Sequence, residues 1–328
     1  MEKILITGGC GFIGFSIAKE LSKKGGRILL CDNLSRGKLD AEIKQFLGEY
    51  NNIEFVQLDL LNKDDLFSKI NSDFDFVYHL AAIVGVKYTD EDPLRVLKTN
   101  IISTLNILEW AAQAKPGKLI FSSTSEVYAG GVHMDPSFPI PTPEDVPLII
   151  SDITNGRFTY AASKILGEIM TINYAKKYDL NYSIVRYHNV YGPRMGCEHV
   201  VPELILRIVK REDPFRLYSA DQTRAFCYID DAVNATIKVA QANDISSKIF
   251  HIGNDKEEIK IKELCNKLFE IADFYPVINA LDPPKGSVER RCPNISKLRN
   301  ITGYEPEVNL DTGLRKTYAW YKKYFEKS

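Results

Sequence analysis

Tyr160 and Lys164 stand four apart in the run Thr159-Tyr160-Ala161-Ala162-Ser163-Lys164. On a helix this spacing stacks them on one face. An ammonium beside a phenol stabilises the phenolate and draws its pKa from the ordinary ~10 toward working pH, which makes tyrosine a usable acid and base. The same spacing is common by chance on solvated helix faces, so its neighbours must decide its meaning. A second group is Gly8-Gly9-Cys10-Gly11-Phe12-Ile13-Gly14, followed later by Cys31-Asp32-Asn33. Glycines there allow a tight turn and the approach of a pyrophosphate to a helix N-terminus, whose N–H groups and dipole favour an anion. Asp32 suits both hydroxyls of an adenosine ribose, which repels a 2′-phosphate and favours NAD over NADP. Gly8, Gly11, Phe12, Ile13, Gly14, Asp32 and Asn33 are thus candidate cofactor contacts. Arg36 and Lys38 follow within reach of a phosphate.

The surrounding elements must place these groups. Lys3 to Thr7 reads as a short apolar strand running into the glycine turn, and Ile13, Ile17 and Leu21 mark a helix ended by Gly25-Gly26. Arg27 to Cys31 is the next strand. Ile53 to Leu60 and Phe74 to Leu80 read as buried strands with a helix, Lys63 to Ile70, between them. Asp59 and Leu60, at a strand end, are placed to contact an adenine. Asp92-Pro93 supplies an N-cap and a first-turn proline for a long helix through Ala112. Lys118 to Ser123 and Tyr182 to Tyr187 are further strands, and the helix bearing Tyr160 runs to Tyr174 with Ile165, Ile169 and Ile172 as its apolar stripe. This alternation predicts an α/β fold, a Rossmann-type doubly wound parallel sheet whose ligands lie at the carboxyl ends of the strands. Thr124, Ser125, Glu126 and Asn189 fall at such ends.

The proline-rich stretch from Gly130 to Val146, with Pro147 just beyond, reads as a loop. After Gly192-Pro193-Arg194 the rhythm changes. Residues 1–191 are expected to form the NAD-binding domain, with 230–254 returning to its sheet through Asp230 to Asn243 and Lys248 to Gly253. Residues 192–229 and 255–328 then make a smaller C-terminal substrate region, which includes a helix from Val201 to Val209. The aromatic stripe of a terminal helix, Leu314 to Phe325, reads as packing. With 328 residues, 45% hydrophobic, 26% charged and a net charge of −1, the chain carries no basic surplus for nucleic acid or a membrane surface. No apolar run approaches the ~20 residues of a membrane span, and no signal-peptide run opens the chain. Six cysteines without Cys-x-x-Cys spacing and five histidines without a ligand-like pair read as reduced thiols in a cytoplasmic protein with no structural metal.

Taken together these residues resemble the extended short-chain dehydrogenase/reductases, the NAD-dependent epimerase/dehydratase group that modifies nucleotide sugars. The resemblance covers nearly the whole chain. It is carried by Thr7-Gly8-x-x-Gly11-x-x-Gly14, Asp32, His79-Leu80-Ala81-Ala82, Asn100, Ser122 to Tyr128, Tyr160-x-x-x-Lys164, Arg186-x-x-Asn189-x-Tyr191-Gly192-Pro193-Arg194 and Gln222-Thr223-Arg224-Ala225-Phe226. It implies a retained NAD, contacted also by Leu80, Ala81, Ala82 and Asn100. Tyr160 would remove the proton of the sugar 4-hydroxyl as the C4 hydride passes to the nicotinamide, Lys164 would hold the nicotinamide ribose and the phenolate, and Thr124 would bond the 4-oxygen. The substrate would be a nucleotide-diphosphate sugar and the assembly a homodimer through the helices at Pro93 to Ala112 and Tyr160 to Tyr174.

A C4 ketone opens three routes: return of hydride to the other face, a 4,6-dehydration, or loss of carbon dioxide where C6 is a carboxylate. Glucose-type 4,6-dehydratases show Thr-Asp-Glu where this chain has Thr124-Ser125-Glu126, and a serine is a poor proton donor at neutral pH. UDP-glucuronate decarboxylases and GDP-mannose 4,6-dehydratases share Thr-Ser-Glu. Leu97-Lys98-Thr99-Asn100 with Thr104-Leu105-Asn106, Gln222 to Phe226, Arg291-x-Pro293 and Arg157 are similar to the decarboxylases. Arg157, Arg224 and Arg291 are candidate ligands of a substrate carboxylate or diphosphate, with Asn189 and Val200 as further substrate contacts. His188 and Met195 to Val200 depart from the decarboxylase pattern. The lead expectation is C4 oxidation followed by decarboxylation of a UDP-glucuronate-like substrate. The alternatives are 4-epimerisation, 4,6-dehydration or a released ketosugar and, from a different class, a non-catalytic NAD-binding scaffold.

Overall fold

Strands rich in Ile, Leu and Val that are apolar toward both faces need helices on both sides, and that layering is what the chain adopts. The computed structural model describes residues 1–70, 73–242, 248–283 and 286–326. Its main sheet has seven parallel strands: β1 (Lys3–Thr7), β2 (Arg27–Asp32), β3 (Ile53–Gln57), β4 (Phe76–His79), β5 (Lys118–Thr124), β6 (Tyr182–Tyr187) and β7 (Ile249–Ile252). Their spatial order is β7-β6-β5-β4-β1-β2-β3. Along β1, Ile4 and Ile6 join the core on one face and Leu5 the core on the other, the two-residue period of a strand. Thr7 pairs with Cys31 on one side and His79 on the other, so β2, β1 and β4 end level. From β1 the chain runs outward through β2 to β3 and then crosses back to β4 on the other side of β1, which opens a crevice above the carboxyl end of β1.

Six helices matter for the site: α1 (Phe12–Lys23), α2 (Pro93–Ala114), α3 (Phe158–Tyr178), α4 (Val200–Val209), α5 (Ile229–Gln241) and α6 (Leu310–Glu326). Phe15 and Ile17 of α1 share one core with Val233 and Ile237 of α5, while Leu108 and Trp110 of α2 share the other with Ala175 of α3. Asp92 caps α2 by accepting from Arg95 N at 2.9 Å, with Pro93 in the first turn. In the aromatic stripe of α6 Tyr321 is fully buried and Tyr318 and Trp320 pack against the core, whereas Tyr324 is 37% exposed. A small sheet places Thr223–Ala225 between Glu258–Lys260 and Arg290–Arg291. Among the described residues no helix is long and apolar enough to cross a membrane.

Three expectations need correction. The buried face of α3 is Ala161, Lys164, Gly167, Glu168, Thr171 and Ala175, not the stripe Ile165, Ile169 and Ile172, of which Ile169 is 49% exposed. The reason is proximity: a Cβ on Gly167 would stand 2.4 Å from the Phe121 ring of β5, so the helix turns its small and polar side inward. The stretch from Gly130 is not loop throughout, because a short helix, Ala129–Met134, comes before its prolines. The strands expected to reach Leu60 and Leu80 stop at Gln57 and His79, leaving both leucines in the turns beyond. The expected helix end at Asn243 lies outside the described residues.

Candidate active site

The glycine turn is built for close approach. Gly8 has φ +69°, and a Cβ on Gly14 would stand 2.3 Å from Gly8 O. Any side chain there would fill the cradle. No side chain caps the first turn of α1, so the backbone of Phe12, Ile13 and Gly14 beside Gly11 suits a diphosphate. At the end of β2 the buried Asp32 accepts from Leu34 N at 2.8 Å and Cys10 N at 3.1 Å, one on each oxygen. Burial raises its pKa and these two N–H groups oppose the rise. Each oxygen keeps a lone pair for a ribose hydroxyl. Asn33 accepts from Ser35 N at 3.0 Å, and the exposed Asp59 accepts from Leu61 N at 3.0 Å beside the buried Leu60.

The opposite wall is the turn after β4. Leu80, Ala81 and Ala82 lie half-buried there. Asn100 is committed to holding that wall: its Oδ1 accepts from Ile83 N at 2.8 Å, and its Nδ2 donates to Ile83 O and to Ser163 Oγ, both at 3.1 Å. Asn100 thereby ties the turn to α3. His79 bonds Thr7 Oγ1 at 2.8 Å and Thr104 Oγ1 at 3.2 Å, and burial, with Lys164 adding to it, lowers its pKa to about 3. It serves as a neutral girder between strands. Turn, acid and wall together fit an adenine dinucleotide.

Lys164 is buried on α3 and donates to Ser122 O of β5 at 2.8 Å. Its Nζ stands 6.0 Å from the centre of the Tyr160 ring. Burial lowers its pKa to about 7, with Glu168 resisting. Tyr160 departs from the expected depression: burial, then the charge of Glu126, push the phenol up, opposed by a hydrogen bond with Thr124 and by Arg36. The helix does stack the pair, but enclosure disfavours both charged forms. Thr124 also accepts from Glu126 N at 3.2 Å, and Ser125 is buried.

Glu126 is the focus of the three arginines. Arg291 Nη1 donates to its Oε1 at 2.6 Å. Burial alone would raise the Glu126 pKa, but Arg291, then Arg157 and Arg224, bring it below the ordinary carboxylate value. Register explains the clustering, since Arg291 pairs directly with Arg224 in the small sheet. Arg224 is fixed by Val288 O at 2.6 Å, Thr223 O at 2.7 Å and Gln222 Oε1 at 3.1 Å. Burial, then Arg291, lower its pKa to about 9. Arg157 stands at the start of α3. Arg291 Nη2 is buried with no partner, a donor left for a ligand. Asn189, at φ +39°, donates from Nδ2 to Ala225 O at 3.1 Å. Val200 opens α4 and is 46% exposed.

Sequence reasoning missed several members. Glu168 receives Arg186 at 2.9 and 2.6 Å and also holds Ser123; its spacing one turn beyond Lys164 is the signal that could have found it. His251 bonds Tyr128 OH at 2.6 Å and stands 4.5 Å from the His188 ring, a juxtaposition with no local signature. Both ring nitrogens of the buried His188 lack a partner. Arg36, already expected within reach of a phosphate, is ion-paired with Glu198, a contact between distant segments that the sequence does not signal.

Residues 4–253 match the model of the NAD dependent epimerase/dehydratase family. A UDP-N-acetyl-alpha-D-glucosaminuronate decarboxylase of Bacillus cytotoxicus is 33% identical over 98% of both chains. A UDP-glucuronate 4-epimerase of Thermodesulfobacterium geofontis is 31% identical over 99% of this chain and 98% of its own. The solved UDP-glucuronic acid 4-epimerase from Bacillus cereus, in complex with UDP-glucuronic acid and NAD, superposes with a TM-score of 0.84 at 29% identity, covering 98% of this chain and 99% of that one. A nucleotide cradle, a Tyr-Lys pair and a full-length likeness to such enzymes place the chain in the NAD-dependent epimerase/dehydratase family, among the extended short-chain dehydrogenase/reductases that work on nucleotide sugars.

Proposed function

We propose that this enzyme oxidises C4 of a nucleotide-linked uronic acid and that the resulting ketone drives loss of the C6 carboxylate as carbon dioxide. The observation that carries the reading is the convergence of Arg157, Arg224 and Arg291 on one carboxylate, Glu126, with a further Arg291 N–H left unpartnered. Planar guanidinium groups suit a second, substrate-borne carboxylate. Similarity to proteins named for glucuronate-type substrates supports the same class.

Bound NAD supplies the oxidising power at C4. Gly8, Gly11, Phe12, Ile13 and Gly14 would hold its diphosphate, Asp32 and Asn33 its adenosine ribose, with Asp59 and Leu60 on the adenine side and Leu80 to Ala82 on the opposite wall. Tyr160 would take the proton of the 4-hydroxyl, aided by Thr124 on the same oxygen, and Lys164 would offset the upward push that burial and Glu126 give the phenol. Ser125 and Glu126 border the sugar beyond C4, and Asn189 and Val200 line its approach. The ketone is β to the carboxylate, so the C5–C6 bond breaks with its electrons delocalised onto the 4-oxygen. Arg291 and its neighbours orient the carboxylate for that break. C5 then regains a proton, and Tyr160 would give its proton back to the 4-oxygen as C4 regains the hydride it had lost, so that the product differs from the substrate by carbon dioxide alone.

A second reading, 4-epimerisation of the same uronate, is favoured by the likeness to the two 4-epimerases. Separate incubation of the NAD-loaded protein with UDP-glucuronate, UDP-N-acetylglucosaminuronate and UDP-glucose, followed by mass spectrometry, separates the two. A product lighter by one carbon dioxide is expected. An isobaric product establishes the epimerase instead, and loss of water from UDP-glucose with no reaction of either uronate overturns both. Tyr160→Phe is expected to reduce product formation by about 10³-fold with the fold retained.

The outward apolar residues Leu94 of α2 and Leu166 and Ile169 of α3 support a homodimer formed through these two helices.

A further inference from the structure

The sheet order sets β1 between β2 and β4, so the glycine turn after β1 lies between the segment following β2 and the segment following β4. Arg36 belongs to the first of these and Tyr88 to the second. Yet the Arg36 guanidinium stands 4.8 Å from the centre of the Tyr88 ring, so its side chain crosses above the end of β1, where a dinucleotide diphosphate would rest. Its far end is held by an ion pair from Arg36 Nη2 to Glu198, with the two side chains only 24% and 18% exposed. Glu198 in turn lies against the wall after β4, its Cγ 3.3 Å from the place of a Cβ on Gly85. A side chain on Gly196 would meet the Glu198 carboxylate at 2.7 Å, so glycine at that position leaves room for the pair.

The segment carrying Glu198 is itself fastened to the β2 side. Arg194 pairs with Asp40 at 2.9 Å and Glu42 at 2.8 Å and lies 4.7 Å over the Phe15 ring of α1. Tyr321 of α6 holds Met195 O. Three ion pairs thus join the segment after β2 to the segment before α4, and the one from Arg36 to Glu198 spans the cofactor crevice.

We propose that Arg36, braced by Glu198 and Tyr88, is a crosspiece over the dinucleotide groove that retains NAD between turnovers. The guanidinium places a positive charge above a diphosphate, and its brace must open before the cofactor leaves. The inference concerns NAD and is independent of which sugar is processed.

The test is the rate at which NAD leaves the purified NAD-loaded enzyme, followed as the NAD still bound to the protein at intervals after dilution into NAD-degrading conditions that prevent rebinding. Glu198→Gln and Arg36→Gln are each expected to speed release by about tenfold, as for loss of one partner of an enclosed charge pair. The exchanged pair, Arg36→Glu with Glu198→Arg, is expected to release NAD more slowly than Arg36→Glu alone. Thermal unfolding of the NAD-free variants, expected to match the NAD-free wild type, separates retention from loss of fold; variants that unfold early without NAD and release it in proportion would overturn the assignment. So would wild-type release rates in both glutamine variants, or an exchanged pair no slower than Arg36→Glu. UDP affinity provides a further arm. It is expected to be unchanged, and weaker UDP binding with NAD release unaltered would give Arg36 to the substrate diphosphate and sink the proposal.

Discussion

Lys164 is enclosed with the Ser122 carbonyl as its partner and, among the described residues, no carboxylate in contact, so burial brings its pKa from 10.5 to about 7, resisted only by Glu168. The sign of the linkage follows from a depressed cation. Below about pH 7 the folded and unfolded chains both hold the proton and the penalty for burying the charge is full; between about 7 and 10.5 the unfolded chain holds more protons, and stability rises with pH. Lys164→Met removes this dependence. Denaturant unfolding of the NAD-free proteins is expected to show the variant more stable than wild type near pH ~6, with the advantage shrinking by roughly 1–3 kcal/mol near pH ~9. A constant difference across that window would contradict a depressed Lys164. The same enclosure accounts for the limit of sequence reasoning here. Four-residue spacing told that Tyr160 and Lys164 share a face, but the sign of the phenol's shift depends on burial and on Glu126, which reach Tyr160 from outside its helix.

At the scale of elements, α3 is a lever whose distance from β5 decides where Lys164 sits. Gly167 allows the close approach, and one residue further Glu168 is clamped by Arg186 of β6 and by Ser123 of β5. The two charges of this clamp are 3% and 4% exposed, and Tyr128 OH, held to His251 at 2.6 Å, also meets Arg186. Removing one charge leaves the other buried and uncompensated. Glu168→Gln is therefore expected to lower the unfolding free energy by about 3–5 kcal/mol, measured by chemical denaturation. A loss below ~1 kcal/mol would mean that Arg186 finds another partner or reaches water. The existence of α3 was legible in its spacing, but its orientation was not. An apolar count favours Ile165, Ile169 and Ile172 as the inner stripe, whereas close packing on Phe121 selects the side with glycine and alanine. Propensity and patterning read what a helix could bury; only the neighbouring strand decides how near it must come.

In the whole molecule, the parallel sheet and its glycine turn could be read from alternating local patterns, because each strand and helix of a doubly wound fold announces itself within a short window. The surroundings of Glu126 could not. Arg157 opens α3, Arg224 and Arg291 come from neighbouring strands of a small sheet, and their meeting depends on the pairing of segments far apart in the chain. Resemblance supplied those arginines one by one, while the Arg36–Glu198 contact, with no pattern of its own, went unseen. The outward face of α2 and α3 is the remaining feature at this scale. Leu94 is 72%, Leu166 38% and Ile169 49% exposed, on two helices packed against each other over one core. Two copies related by a twofold axis would bury the same residues on both partners, which a lone exposed leucine does not require. Replacing Leu166 and Ile169 together by arginine would set like charges across that axis while removing little from the monomer's own core. The wild type is expected to sediment as two chains at micromolar concentration and the double variant as one, with NAD content retained and monomer unfolding changed by no more than ~0.5 kcal/mol per site. A wild type that sediments as a single chain, or a double variant that still sediments as two, would remove α3 from the interface.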